Sequence, residues 1–333
     1  ELGAACCDRF RCLRFVQLIN GFCYRWLQPA LLLGVGFADR EAFLDSREPS
    51  QLWYRRPATG WNEALPLGNG RLGAMVYGGI ERELLQLNED TLYSGTPHRY
   101  ENPQAFEYLA EVRRLVLEGE YAEAQELAEN MLGVPKYQAA YQPLCDLTLE
   151  FSHIGPTQDY RRSLDLTTGV LTVEFRAGEA WHRREAFVSY PDQVLVVRMS
   201  CSDKKSIGFS LSLASSHPTN TTTLDGVVMS LSGTTGPRRC VEPIAAQNGP
   251  GLSFETRAAV HAPGGSTRAE HGRLIVEGAD SAVILVAAAT SFIRYNDISG
   301  NPTAKNDVVL HSAQGKPFAA LYDDHQTDFR KLP

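Results

Sequence analysis

The sequence predicts a mainly β fold: a large antiparallel β-sandwich with an inserted helical hairpin and a C-terminal helical linker. Three observations carry this. Beyond residue 50 apolar side chains recur with period two, turn-forming clusters separate those runs, and only two stretches change to helical spacing. Alternation of this kind leaves one face buried and one wet, as antiparallel strands require. Many short strands with turn punctuation make a sandwich the expected architecture.

Residues 1–50 stand apart from that pattern. They hold Cys6, Cys7, Cys12 and Cys23, four of the seven cysteines, and an apolar run at 26–38 that follows Arg25. With Gly36 and Ala38 at small-residue positions, the run resembles a secretory signal peptide and is shorter than the ~20 apolar residues needed to span a bilayer. Mis-joined or translated non-coding sequence is the other explanation, and neither gives residues 1–50 a part in the fold. The first methionine is Met75, so a fragment, a processed product or a wrongly started gene product is expected. Secretion is the expected location, with the cytoplasm as the alternative. Asn220-Thr221-Thr222 fits a glycosylation acceptor in a loop.

The strands follow in order. Leu147, Leu149 and Phe151 alternate with polar neighbours, as do Leu171, Val173 and Phe175. Ile207, Phe209, Leu211 and Leu213 alternate with small residues, and Val227, Met229, Leu231, then Leu252 with Phe254 and Leu274 with Val276, repeat the pattern. Gly249-Pro250-Gly251 and Pro263-Gly264-Gly265 punctuate them. The first helical stretch opens at Asn102-Pro103, an N-cap and first-turn pair, and carries Phe106, Leu109, Val112 and Val116. After Gly119, Tyr121, Ala124, Ala128 and Met131 continue at helical spacing until Gly133 and Pro135, and this stripe is expected to pack in a core. Asn301-Pro302 starts a second helical region, renewed from Phe318 to Leu332. The expected organisation is an unmatched segment at 1–50, one β-rich domain at 51–298 and a helical linker at 299–333.

Composition narrows the function. A net charge of −7 with scattered basic pairs argues against a phosphate-binding surface, so neither nucleic acid nor a membrane is an expected partner. Cys145, Cys201 and Cys240 match no metal spacing. Gly68, Gly70 and Gly73 spell G-x-G-x-x-G, with Glu89 about where a ribose-binding acid would lie. Residues 74–79 read as a strand, however, and a dinucleotide site needs a helix there. Ser94 lacks the first glycine of a nucleophile elbow, and the eight histidines are dispersed without a metal cluster. Carboxylates are plentiful (Glu63, Glu81, Glu83, Glu89, Asp90, Asp146), but spacing alone cannot pair two of them across a glycosidic bond. Composition and spacing reach a β-sandwich of unknown function and stop there.

The stretch Trp61-Asn62-Glu63-Ala64-Leu65-Pro66-Leu67-Gly68-Asn69-Gly70-Arg71-Leu72-Gly73-Ala74-Met75 goes further. With Gln86-Leu87-Asn88-Glu89-Asp90-Thr91-Leu92-Tyr93-Ser94-Gly95, it resembles the N-terminal domain of family 95 glycoside hydrolases, the inverting α-L-fucosidases. Asn102-Pro103, Tyr141-Gln142-Pro143-Leu144, Asp146-Leu147, Tyr160 to Leu166, Arg184-Glu185-Ala186-Phe187 and Ala287 to Phe292 extend the similarity in order over 51–333. Cys145 departs from it, standing where the family pattern has glycine. The resemblance implies a sandwich followed by an (α/α)6 barrel that holds the catalytic glutamate and the water-positioning asparagine and aspartate. On that basis no catalytic residue, metal or cofactor is expected in this chain, and the parent's partner is a fucosylated glycan. Trp61, Asn69, Arg71, Asn88, Glu89 and Asp90 are the candidate pocket-rim residues, with turn and backbone support inside the sandwich as their other expected role. A carbohydrate-binding module lacking hydrolase activity, on Trp53, Trp61, Tyr93 or Trp181, and an unstable truncated product remain the alternatives.

Overall fold

The structure, a computed structural model, describes residues 50–151, 154–217, 219–236 and 249–332. The signal-like run and Cys240 therefore lie outside the described residues.

Among the described residues sixteen antiparallel strands form two sheets. They are β1 Gln51–Tyr54, β2 Leu65–Gly68, β3 Leu72–Val76, β4 Arg82–Glu89, β5 Cys145–Glu150, β6 Thr157–Asp165, β7 Val170–Ala177 and β8 Ala180–Ser189. The remainder are β9 Val194–Cys201, β10 Ile207–Ala214, β11 Thr219–Asp225, β12 Val228–Thr234, β13 Ser253–His261, β14 Ser266–Glu270, β15 Arg273–Ala279 and β16 Ser281–Thr290. One sheet has nine strands in the order β1-β6-β7-β8-β9-β16-β13-β12-β11, and the other has seven, β14-β15-β10-β5-β4-β3-β2. The expected sandwich is thus the observed one.

The main core fills the space between the sheets. Ile207, Phe209, Leu211 and Leu213 of β10 point into it, as do Leu147 and Leu149 of β5, Val173 and Phe175 of β7, and Met229 and Leu231 of β12. Each such side chain removed from water contributes about 1.5–3 kcal/mol before entropy is counted. Strict alternation fails in the middle of the large sheet. Val194–Val197 of β9 and the run from Ile284 to Thr290 of β16 are buried on both faces. The reason is a third layer: helices α3 (Pro302–Gln314) and α4 (Phe318–Phe329) lie on the outer face of that sheet. There Leu310, Ala313 and Leu321 share a second apolar cluster with Phe187, Val196, Leu285 and Ala287. The helical stretch after residue 299 is therefore fastened to the sandwich. Asn301 caps α3 as expected, its Oδ1 accepting from Ala304 N at 3.1 Å, with Pro302 in the first turn.

The inserted hairpin consists of α1 (Ala105–Glu118) and α2 (Tyr121–Ala128), with Gly119 closing α1 at φ 86°. It departs from expectation twice. First, Asn102 does not cap α1, which begins three residues later. Its Oδ1 turns the backbone at Gln104 N (3.0 Å) while Nδ2 donates to the carbonyls of Asn130 and Leu132, tying the two ends of the insertion together. Second, the apolar stripe is not core. Of Tyr121, Ala124, Ala128 and Met131 only Ala124 is buried, while Tyr121 is 69% exposed. The periodicity made the helices amphipathic, but the sandwich core had already closed without them.

Three smaller expectations resolve. Gly68-Asn69-Gly70 is a β2–β3 hairpin turn with Gly70 at φ +90°, so the G-x-G-x-x-G glycines serve a hairpin. Asn220 stands in strand β11, not in a loop. Cys145 opens β5 with backbone that any residue adopts, its buried thiol against Thr256 Oγ1 at 3.5 Å, so the departure from glycine costs no turn.

Candidate functional site

The inward face of β4 explains how the two ends of the sandwich are closed. Along Arg82–Glu89 the inward positions are Glu83, Leu85, Leu87 and Glu89: two leucines in the core and a buried carboxylate at each end. An isolated buried charge would cost several kcal/mol, so each glutamate needs a cation brought to it. Arg184 from β8 answers Glu83, and Arg71 from the β2–β3 turn answers Glu89.

At the Glu83 end, Arg184 Nη1 lies 3.5 Å from Glu83 Oε2 and also donates to Gly79 O, while Nη2 donates to Ile80 O at 2.7 Å. Its guanidinium sits 3.7 Å over the Phe151 ring. Gly78 N donates to Glu83 Oε1 at 2.7 Å. Gly79 has no freedom to be anything larger, because a Cβ there would lie 1.7 Å from Arg82 O. Burial pulls the Arg184 guanidinium down to about 10, against the hold of Glu83, and pushes the Glu83 carboxyl up, against the pull of Arg184.

At the Glu89 end, four of the six predicted site residues come together. Arg71 spreads its guanidinium over the β8–β9 turn: Nε donates to Gln193 Oε1 (2.7 Å), Nη2 to Gln193 O (3.1 Å) and Nη1 to Ala288 O (2.6 Å), with Glu89 Oε1 at 3.5 Å. Asn69 Oδ1 accepts from Arg71 N and Leu72 N, and its Nδ2 donates to Ser189 O at 3.0 Å. Glu89 Oε2 accepts from Thr91 N and Thr91 Oγ1 at 2.8 and 2.6 Å. Asp90 N donates to Arg71 O at 2.9 Å. Gln193 is held at φ +58°, a left-handed backbone that costs a non-glycine residue about 1–2 kcal/mol and that Arg71 clamps from two sides. Burial raises the Glu89 carboxyl, and the Thr91 hydroxyl opposes the rise.

Asn88 stands apart on the other face of β4, half-buried and opposite Gly73. Trp61 does not join the cluster either. It lies in a 3-10 turn (Trp61–Glu63) at the far end of β2, 57% exposed, in a loop that buried Arg162 holds through Arg56 O and Glu63 O. Sequence reasoning missed Thr91, Gln193, Thr290 and Lys305, which complete the Glu89 end. Thr91 Oγ1 meets Thr290 Oγ1, and Lys305 Nζ donates to Thr290 O and Phe292 O, both at 2.8 Å. Thr91 and Thr290 stand inside the stretches that carried the resemblance, but nothing in spacing joins residues 199 positions apart.

The chemistry open to this arrangement is limited. The buried carboxylates among the described residues are Glu83, Glu89, Asp192 and Glu255. Each faces a cation: Arg184, Arg71, Lys316 (2.7 Å, shared with Asp324) and Arg257 (3.0 Å, shared with Asp307). A general acid or base must have a free oxygen within hydrogen-bond reach of the substrate, and these oxygens are committed inside the chain. No group of three or more His, Cys, Asp or Glu placed to hold a metal occurs among the described residues.

Comparison with known proteins gives this scaffold its relatives. Residues 52–295 match the family described as glycosyl hydrolase family 65, N-terminal domain. The chain is similar to "Alpha-L-fucosidase 2" of Arabidopsis thaliana, 37% identical over 89% of this chain and 37% of that protein. It is also similar to "Probable alpha-fucosidase A" of Aspergillus niger, 30% identical over 80% of this chain and 34% of that protein. The chain thus spans little more than a third of the length of these two relatives. Among solved structures, a putative kojibiose phosphorylase from human microbiome aligns with TM-score 0.45 at 13% identity, over 85% of this chain and 38% of that one. The chain belongs to the family of N-terminal domains of glycosyl hydrolase family 65.

Proposed function

We propose that this chain is the non-catalytic N-terminal domain of a family 95-type α-L-fucosidase. Its parent hydrolyses terminal α-L-fucosides with inversion, using a helical barrel that this domain supports. The observation that carries the proposal is the pairing of every described buried carboxylate with a cation inside the chain, which fits a scaffold. The names of the two α-fucosidase relatives support the sugar. Asn69, Arg71, Glu89 and Asp90 then serve by stiffening the end of the sandwich that carries the α1–α2 insertion. Secretion goes with the proposal through the signal-like run alone. The test compares this chain with a parent that includes the barrel, on 2′-fucosyllactose, following the anomer of released fucose by NMR. Release of inverted fucose by the parent alone is expected. No release by the parent, or release by this chain, would overturn the assignment.

A second function is favoured by the exposure of Trp53, Trp61 and Trp181, each about half open to solvent. That is a carbohydrate-binding module without hydrolase activity. Calorimetric titration of this chain with fucosylated oligosaccharides separates the two, because a scaffold gives no heat.

A further inference from the structure

We infer that the edge of the nine-stranded sheet at Trp53 is a binding site for an anionic saccharide, one that carries carboxylate or sulfate groups. The site is independent of fucoside cleavage and stands whether or not the parent is a fucosidase.

The site follows from strand register. Among the described residues β1 is an edge strand, paired only to β6, with Trp53 opposite Ser163 and Tyr54 opposite Arg162. Arg55 follows in the bend after β1, and Arg161 precedes Arg162 on β6. Trp53 is 48% exposed, and both guanidiniums lie against its ring, Arg55 at 5.5 Å and Arg161 at 5.1 Å from the centroid. Contact at this range is a cation–π interaction, which orients the two cations on one indole.

Two exposed arginines held on one indole repel each other as like charges. Among the described residues neither has a carboxylate partner. Arg161 donates only to the neutral Gln51 amide, at 3.2 Å. The acid opposite Arg161 on β7 is Glu174, and its Oε1 is taken by Arg183 at 2.8 Å. Asp159, earlier on β6, pairs with Arg176 at 3.3 Å, and Arg56 pairs with Glu63. Arg56, Arg176 and Arg183 are thus paired with carboxylates and buried Arg162 is spent on the carbonyls of Arg56 and Glu63, while exposed Arg55 and Arg161 have neither, in a chain whose net charge is −7.

The missing counter-charge defines the ligand. Guanidinium forks match carboxylate and sulfate oxygens in a bidentate manner. The half-open indole offers an apolar surface on which a sugar ring can lie. A uronate or sulfated sugar satisfies both halves at once, whereas a neutral sugar leaves the two charges uncompensated.

The test is titration of the whole chain with oligogalacturonate, with a neutral galactose oligomer of equal length, and with inorganic sulfate, in buffers of low and high salt. Saturable binding of oligogalacturonate is expected, weakened about tenfold or more by R55Q/R161Q, by W53A, and by raising ionic strength well above 0.1 M, where screening shortens to less than ~10 Å. All three positions are exposed, so melting curves of the variants should overlay that of the wild type. Equal binding of the neutral oligomer would overturn the assignment, as would wild-type affinity in R55Q/R161Q. Sulfate bound as tightly as oligogalacturonate, with W53A unaffected, would refute the saccharide and leave only an anion site.

Discussion

Replacing Arg184 by methionine tests whether the sandwich ends are held by the paired charges. The substitution keeps an unbranched side chain of similar reach and removes the guanidinium that sits over Phe151. Glu83, 3% exposed, then loses the cation paired with it, and the carbonyls of Gly79 and Ile80 lose the Arg184 donor. Breaking a buried pair from one side costs about 3–5 kcal/mol, because the surviving charge stays desolvated. In a domain of this size that is a fall of about 10 °C in Tm. Urea unfolding followed by circular dichroism measures it directly. The double variant E83L/R184M removes both charges and should recover most of the loss, since an apolar pair of similar volume has no desolvation to repay. A loss below about 1 kcal/mol for R184M, or a double variant no more stable than the single one, would refute the argument.

Two further outcomes follow from the same structure. Arg71→Ala should cost about 2–4 kcal/mol, because it frees the strained Gln193 turn and leaves Glu89 without its cation; hydrogen exchange at Ser189–Val194 should rise while that at β10 stays slow. His325 is buried, stacked on Phe187 at 4.6 Å with Nε2 at 2.8 Å from Thr168 O, and burial lowers its pKa below the usual histidine value. The folded state then binds the proton less readily than the unfolded one, so this contribution is present above about pH 6.5 and fades as pH falls through the folded pKa. Denaturation at pH 7.5 and 5.5 should show wild type losing stability on acidification and H325F losing less, and equal losses would contradict the assignment.

Much of the sandwich was legible because burial on one face leaves a period of two in the sequence. Leu147 and Leu149, Val173 and Phe175, and the four apolar residues of β10 were all placed inside on that ground, and they are. The helical hairpin and the α3 cap were legible for a similar local reason: Gly119 and Asn301-Pro302 act within a single turn of chain. The motif stretches around residues 61–75 and 86–95 marked the N-terminal domain of a glycoside hydrolase without showing what their residues do.

What the sequence alone determined was therefore local: strand phase, helix ends, and a family signature. The tertiary structure decided the rest, because it depends on distance across the fold. That Glu83 and Glu89 point inward follows from the phase of β4, but which arginine reaches each does not. Arg184 and Arg71 come from other strands and turns, 101 and 18 positions away, delivered by sheet order. The hairpin's apolar stripe shows the converse, since its helical period was correct while its burial was not. Periodicity states which side chains share a face, and only packing states what that face meets.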